Sequence, residues 1–426
     1  MKSETASFTQ PSALGLLPSF GFGDRLGLAT PGHIAACKLG RLNPIFAQQS
    51  VRELSRTQRT AGEVLKAAQD GIVRAGGWSG PWGADADHLK TREDVLHYAE
   101  AGFTFFTIDP SAHVQNEADR LTGGDLEAAV EDVVRAGVFE SVAQLRELYL
   151  GRSYDLGEAG LLGFAEAEPL YRAAVKYGKA MHYASQMAGW IREATGGRGE
   201  IEMSVDETAS VTSPAEHLYV GLELKRLGAM PVVSLAPRFT GEFEKGVDYK
   251  GDLAVFEKQL REHVAVAKLC GPYKISVHSG SDKFSIYPIV GRVCGDLLHV
   301  KTAGTNYLEA LRVVARQAPG LFAHIVAYAH GRFEQDKASY HISAQLSRLA
   351  NPASLTVAER ERVYLDESDG RQVLHVTFGS VLTMGRTPDG RLFKEGILEA
   401  LAKHDDLHQE FLVKHLGRHV MLLSAG

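Results

Sequence analysis

Cysteine is scarce. The chain has three in 426 residues, Cys37, Cys270 and Cys294, far apart and with no C-x-x-C pair. That excludes a disulfide framework and a cysteine-built metal site, and it suits buried thiols in a reducing cytoplasm. No apolar run approaches the ~18 residues that mark a membrane span. Residues 1–20 read as a loose lead-in. Pro11 and Pro18 interrupt it and no secretory signal is recognisable, so the expected location is the cytoplasm. Positive charge is not in excess: the net charge is −6, which argues against a nucleic-acid partner. A G-x-x-x-x-G-K-[ST] loop is missing, which removes nucleotide phosphate transfer. The glycines of Gly21-Phe22-Gly23-Asp24-Arg25-Leu26-Gly27 do not make a dinucleotide fingerprint. The third is one position late, and the loop precedes its apparent strand, Leu26–Ala29, instead of following it. Internal repeats and low-complexity tracts are absent.

What is present is an ordinary globular composition, 44% hydrophobic and 23% charged, laid out in a recurring unit. Short apolar segments end in polar residues and lead into helical patterns. They are Leu26–Ala29, Ile45–Gln49, Gly83–His88, Phe103–Asp109, Ile201–Glu207, Pro231–Ala236, Lys274–His278 and Leu297–Lys301. Helix-like stretches such as Ala61–Val73, Phe256–Ala267 and Leu308–Arg316 lie between them. Alternating strand and helix predicts a parallel sheet, and eight repeats predict a closed (β/α)8 TIM-type barrel. Residues 20–426 are expected to form one such domain. A helical insertion over about 110–199 either covers the barrel mouth as a lid or builds an interface between copies of the chain. A helical C-terminal extension over about 318–426 includes Leu321–Lys337 and Phe393–Leu416 and holds one β-prone piece, Gln372–Thr377.

In such a barrel the chemistry sits at the carboxyl ends of the strands. The most telling end is Trp82-Gly83-Ala84-Asp85-Ala86-Asp87-His88-Leu89, where acids and a histidine stand among small residues. Its structural reading is a loop before a capped helix, since Thr91-Arg92-Glu93-Asp94 fits a capping box. The other ends repeat the theme. They offer Gln48 and Gln49, Asp109, Asp206 and Glu207, Arg238, then His278-Ser279 with Lys283, then His299 and Lys301. Imidazoles from several strands make a divalent-metal set, with zinc, manganese, nickel or iron as candidates. His88 and His278 lead, and His299 and His341 compete for third place, with Glu207 a further option. Each histidine taken alone also fits a hydrogen-bonded structural role. Lys301 reads as a Schiff-base lysine or an electrostatic clamp paired with Asp206 or Glu207. Arg238 and Lys283 read as anion binders or surface ion pairs.

These motifs together resemble the tagaturonate epimerase family. The resemblance lies in Phe46–Ser50, Trp82–Thr91, Phe103–Pro110, Val277–Phe284 and His299–Thr305, and it runs from about residue 20 to the end. It implies interconversion of the sugar acids D-tagaturonate and D-fructuronate with a divalent metal. A fainter similarity of the Asp-His pair to class II aldolases implies that Asp87 moves a proton and His88 binds metal. On this reading Asp87, Glu207 and Lys301 are catalytic, and His88, His278 and His299 hold the metal. Gln48, Gln49, Arg238, Ser279, Lys283 and His341 then contact substrate. The inverted carbon, C4, is β to the C2 ketone, so its hydrogen is not acidic. Retro-aldol cleavage and re-addition can invert it; simple proton abstraction cannot. The alternatives are a ketose aldolase that releases the fragments, and a non-catalytic barrel subunit of an aldolase complex. Self-association is compatible with either.

Overall fold

The computed structural model describes residues 9–425; the first eight residues of the expected lead-in lie outside them. Eight parallel strands close a barrel: β1 Ser19–Gly23, β2 Asn43–Ser50, β3 Gly83–Leu89, β4 Phe105–Ile108, β5 Glu200–Val205, β6 Ser234–Pro237, β7 Lys274–Val277 and β8 Leu298–Thr302. Each pairs with the next, and β8 pairs with β1 through Ser19 beside His299 and Gly21 beside Lys301. Among the described residues no helix is long and apolar enough to cross a membrane.

Period-two patterning explains the strands. In β3, Ala84 and Ala86 face the helices while Asp85 and Asp87 face the barrel interior. In β5, Ile201, Met203 and Val205 pack outward while Glu200, Glu202 and Ser204 face inward. In β8, Leu298 and Val300 pack outward while His299 and Lys301 face inward. Above its floor the interior is therefore polar. Its floor is closed by the lead-in: Leu14 packs on Ile45 and Phe105, and the backbone N–H groups of Leu14 and Gly15 donate to the Glu200 carboxylate.

The first strand was expected at Leu26–Ala29 and lies instead at Ser19–Gly23. The Asp24 carboxylate accepts hydrogen bonds from the backbone of Leu26, Gly27 and Ala29 at 2.7–3.0 Å, which curls this segment into a turn before helix Thr30–Cys37. Phe20 and Phe22 supply the outward apolar face, and the inward position Gly21 is forced small. A Cβ there would lie 2.1 Å from Gln48 Oε1. The expected capping box at Thr91 is present before helix Arg92–Ala101.

The insertion between β4 and β5 ends in a long helix, Ala167–Thr195, that packs between helices Arg92–Ala101 and Pro214–Arg226 on the outside of the barrel. None of the residues lining the cavity at the mouth comes from it, so the lid expectation fails.

The C-terminal part is not an appendage. Residues after β8 build a second core around Leu308, Phe322, Val373 and Phe378. The chain then returns in helix Asp405–Ser424 to pack against Thr30–Cys37 and Tyr287–Cys294. That is the position of the helix that should follow β8, so the second core is a module inserted between β8 and its own barrel helix. Two expectations change here. Gln372–Thr377 belongs mostly to helix Ser368–Val376, because packing in an all-helical core overrides local β preference. The single helix expected over Phe393–Leu416 breaks at His404 into Phe393–Lys403 and Asp405–Ser424.

A buried charge network ties the returning helix to the loop after β7. Asp282 takes Arg371 at 2.9 Å and His415 at 2.7 Å, and its backbone N–H donates to His419. Burial raises the Asp282 carboxyl, but Arg371 and His415 more than offset this and hold it well below the usual range. Its contribution to stability is therefore present above the unfolded value of about 3.9 and is lost as pH falls below it. Asp282→Asn, which leaves Arg371 unpaired, should destabilise the protein by about 3–5 kcal/mol at neutral pH. In thermal melts the wild-type advantage should shrink through the acid range.

Candidate active site

The cavity at the C-terminal mouth of the barrel has a volume of about 640 Å³, within the usual range for a small-molecule site. Beneath it Lys301 crosses the barrel. Its ammonium lies 2.8 Å from Asp85, 2.8 Å from Asp87 and 2.9 Å from Glu202, and it donates to Thr107. Burial opposes its charge, but these carboxylates more than offset that and raise it well above the ordinary lysine value. Lys301 is thus the clamp of the two roles expected for it. A nucleophilic lysine needs its proton removed, and this one is held charged. Its partners are Asp85, Asp87 and Glu202 instead of Asp206 or Glu207. Burial pushes Asp85 up to about 7, despite Lys301 and with Asp87 and Glu202 adding to the rise. Burial acts the same way on Asp87 and Glu202, but Lys301, together with His88 for Asp87 and His278 for Glu202, holds both well below the usual carboxylate range.

One layer higher, His88 and His278 face each other, ring centres 5.1 Å apart. Neighbouring strand residues normally point to opposite faces, so Asp87 and His88 should not share the mouth. They do because β3 carries an irregularity between Ala86 and Leu89, where His88 adopts φ 58° and is re-aimed as in a bulge. Asp87 Oδ1 sits 2.8 Å from His88 Nδ1, and Glu202 Oε1 sits 2.7 Å from His278 Nε2. The free nitrogens converge on Asp206, His278 Nδ1 at 3.2 Å and His88 Nε2 at 3.7 Å. His278 Nδ1 is buried without a hydrogen bond. Burial lowers both histidines, but Asp206 with Glu202 lifts His278 to about 9, and Asp87 with Asp206 lifts His88 well above its ordinary value. Glu207, partly exposed, approaches His88 at 3.8 Å and Lys90 at 3.7 Å, and Lys90 also meets Asp109.

Of the expected site residues, Asp87, His88, Glu207, His278 and Lys301 are brought together. Gln48, Arg238, Ser279 and His341 also line the cavity. Others are placed elsewhere. His299 lies a layer deeper, its Nδ1 2.9 Å from Ser19 Oγ, and burial presses it down to about 3. His341 stands at the rim, 67% exposed and paired with Glu242. Lys283 is fully buried and donates to the carbonyls of Glu244, Val247 and Ser281, so it is not an anion binder at the mouth. Gln49 is on the outward face of β2, with Arg59 at 3.4 Å from its Oε1. Arg238 lines the wall with its guanidinium donating to the Thr208 carbonyl. Sequence reasoning missed Glu202, Thr107 and Lys245. For Glu202 a signal existed: Glu200, Glu202 and Ser204 put a polar residue at every second position of a strand, which only a polar barrel interior accepts.

A closed parallel barrel whose carboxyl-end mouth carries two histidines backed by buried acids defines an enzyme of the (β/α)8 class. The chain belongs to the tagaturonate epimerase family, whose model matches residues 3–423, and is thus a carbohydrate epimerase. It is 43% identical over 416 residues to the tagaturonate/fructuronate epimerase of Thermotoga maritima, covering 97% of this chain and 82% of that one. Crystal structures of the fructuronate-tagaturonate epimerase of Cohnella laeviribosi superpose with a TM-score of 0.90. The native form is 37% identical and matches 98% of this chain and 83% of its own; a glycerol complex matches equally well.

Lys301→Met should leave three buried carboxylates with no ammonium among them, a loss of about 3–5 kcal/mol. The folded variant must then keep protons on acids that are ionised when unfolded. Its folded pKa values lie above the unfolded ones, so the deficit should grow as pH rises above about 4. Melting temperatures measured across pH check this; a gap that stays flat contradicts it.

Proposed function

We propose that the chain interconverts D-tagaturonate and D-fructuronate by retro-aldol cleavage and re-addition, with a divalent cation held by His88, Asp206 and His278. The observation that carries this is the convergence of those three ligand atoms, all within 4.8 Å of one another. Ligands about 2.0–2.1 Å from a zinc-sized ion in tetrahedral array stand about 3.3 Å apart, close to the 3.2 Å and 3.7 Å found here. Each histidine also has a carboxylate on its other nitrogen, the partner that fixes tautomer and orientation in metal-binding imidazoles. Zinc, manganese, nickel or iron each suits two imidazoles and one carboxylate. Asp206 thus takes the third place that His299 or His341 was expected to fill. When bound, the cation withdraws electron density from the ketone and a neighbouring hydroxyl and so favours charge on the C2–C3 unit.

The protein's own groups move the protons. Asp87 stands at the Nδ1 edge of His88 and Glu207 towards its Nε2 edge, so carboxylates flank the centre on two sides. One takes the proton of the C4 hydroxyl. The C3–C4 bond breaks, its electron pair passing to the C2–C3 unit, and C4 becomes an aldehyde carbon. After the aldehyde turns its other face, C3 re-adds and the new C4 alkoxide takes a proton from the other group, which enters the cycle as the carboxylic acid; the two groups exchange roles in the reverse direction. Lys301 lies behind Asp87 and offsets the negative charge that the floor of the site accumulates. The 43% identical relative carries the name of this interconversion, and the two sugar acids stand at the same oxidation level, so cleavage and re-addition balance with no external oxidant.

Four outcomes test the proposal. Chelation should abolish turnover, and added metal should restore it; full activity in a metal-free preparation contradicts the cation. His278→Ala should lose stoichiometric metal on elemental analysis. Turnover in heavy water should leave C4 free of deuterium, because C4 keeps its hydrogen throughout, and label at C4 rejects the bond cleavage. Asp87→Asn should lower kcat by about 10²–10⁴-fold. Because Asp87 also orients His88, it should weaken metal affinity by about 10–100-fold; kcat is therefore to be read at saturating metal.

A further inference from the structure

Lys245 is a half-buried lysine at the cavity wall, in the loop after β6, and its backbone is held to an unusual degree. Four consecutive carbonyls, of Glu244, Lys245, Gly246 and Val247, each accept from a side chain. Lys283 Nζ donates to Glu244 at 2.8 Å and to Val247 at 2.6 Å. Gln372 Nε2 donates to Lys245 at 3.2 Å, and Arg371 Nε to Gly246 at 2.9 Å. Lys283, Gln372 and Arg371 are themselves buried. A buried lysine amine, a buried guanidinium and a buried amide are thus spent on fixing one short loop. The side chain so positioned is left almost free: Lys245 Nζ meets the Ser279 hydroxyl at 2.7 Å, and among the described residues no carboxylate pairs with it. Lys90 and Lys301, the other lysines of the cavity, are both matched to acids. Ser279 follows His278 directly and is itself held at φ 50°, which turns its hydroxyl along the wall beside the proposed metal ligand. Arg52, which also lines the cavity and among the described residues has no acid within ion-pair distance, adds positive charge near Lys245.

We propose that Lys245 and Ser279 form the seat for the substrate's carboxylate and so make this epimerase selective for sugar acids over neutral ketoses. The inference rests on the reaction proposed above. A lysine with two unused N–H donors, a rigid backbone and no carboxylate in ion-pair contact, Glu53, Asp206 and Glu207 acting on it from farther off, is preorganised for an anion: binding needs no close ion pair to break and little loop entropy to be lost. Its place beside His278 lets one ligand reach the metal ligands with its ketone end and Lys245 with its acid end. Lys283, Gln372 and Arg371 are positioning residues that act through Lys245. This explains why Lys283, which sequence reasoning put in contact with substrate, is instead buried beneath the residue that makes that contact.

The test uses the full-length, metal-loaded protein. Calorimetry with D-gluconate, an acid without a ketone, and with sorbitol, its neutral counterpart, reads the seat without turnover. Lys245→Met should weaken gluconate binding about 10–100-fold, as for one charge-assisted contact, with sorbitol binding and metal stoichiometry unmoved. Lys245→Arg, which keeps the charge, should recover most of the loss. In kinetics, Lys245→Met should lower the ratio of kcat/KM for the uronate to that for the ketose bearing a hydroxymethyl group in place of the carboxylate, chiefly through KM. Gluconate affinity unchanged in Lys245→Met, or lost equally for gluconate and sorbitol, overturns the seat, and so does Lys245→Arg behaving like the methionine variant. Wild type that binds gluconate through Lys245 but does not turn over tagaturonate leaves the seat standing and rejects the reaction instead.

Discussion

The site depends on one ammonium group. Asp85, Asp87 and Glu202 project into the same barrel interior, and without a cation among them they could not all ionise. Lys301 reaches each of them within 2.9 Å. Two of those acids then do a second job, since Asp87 orients His88 and Glu202 orients His278. The histidines at the mouth are aligned by carboxylates that are charged because the lysine beneath them is. The chain of dependence runs upward through the barrel from β8 to β3 and β5, and its parts are contributed by strands that meet only when the barrel closes.

Much of this was legible in the sequence, for a physical reason. Alternation is a local property, and polar residues at the ends of apolar strands have few explanations other than a mouth. Asp87, His88, His278 and Lys301 could therefore be named before their positions were known. His88 was legible only by its neighbour: simple alternation would have sent it outward, and the bulge that returns it to the mouth leaves no clear mark in the sequence.

What could not be read depended on contacts distant in the chain. His299 and Lys301 are two apart and share a face of β8, but nothing local says that His299 sits a layer too deep, against Ser19. Lys283 looks like an anion binder because its loop follows a histidine; that its ammonium turns onto carbonyls some forty residues earlier is settled by the β6 loop. The first strand was misplaced because one aspartate, Asp24, captures three backbone N–H groups, an arrangement that apolar content does not report. Gln372–Thr377 has strand-like residues, yet it is helical because the core around it offers no strand to pair with.

The module inserted between β8 and helix Asp405–Ser424 has a consequence for biosynthesis. A ribosome releases the amino end first, so all eight strands are out before the helix that covers the β8–β1 seam. Until that helix arrives, the outer faces of Thr30–Cys37 and Tyr287–Cys294 are bare, and Asp282 lacks His415 and His419. A chain without this helix would carry every proposed ligand and all eight strands, but would lack the outer packing over the β8–β1 seam. Arg371 and Gln372 belong to the same late segment and brace the β6 loop. The contacts that brace the mouth are therefore made only after all eight strands of the barrel have been synthesised.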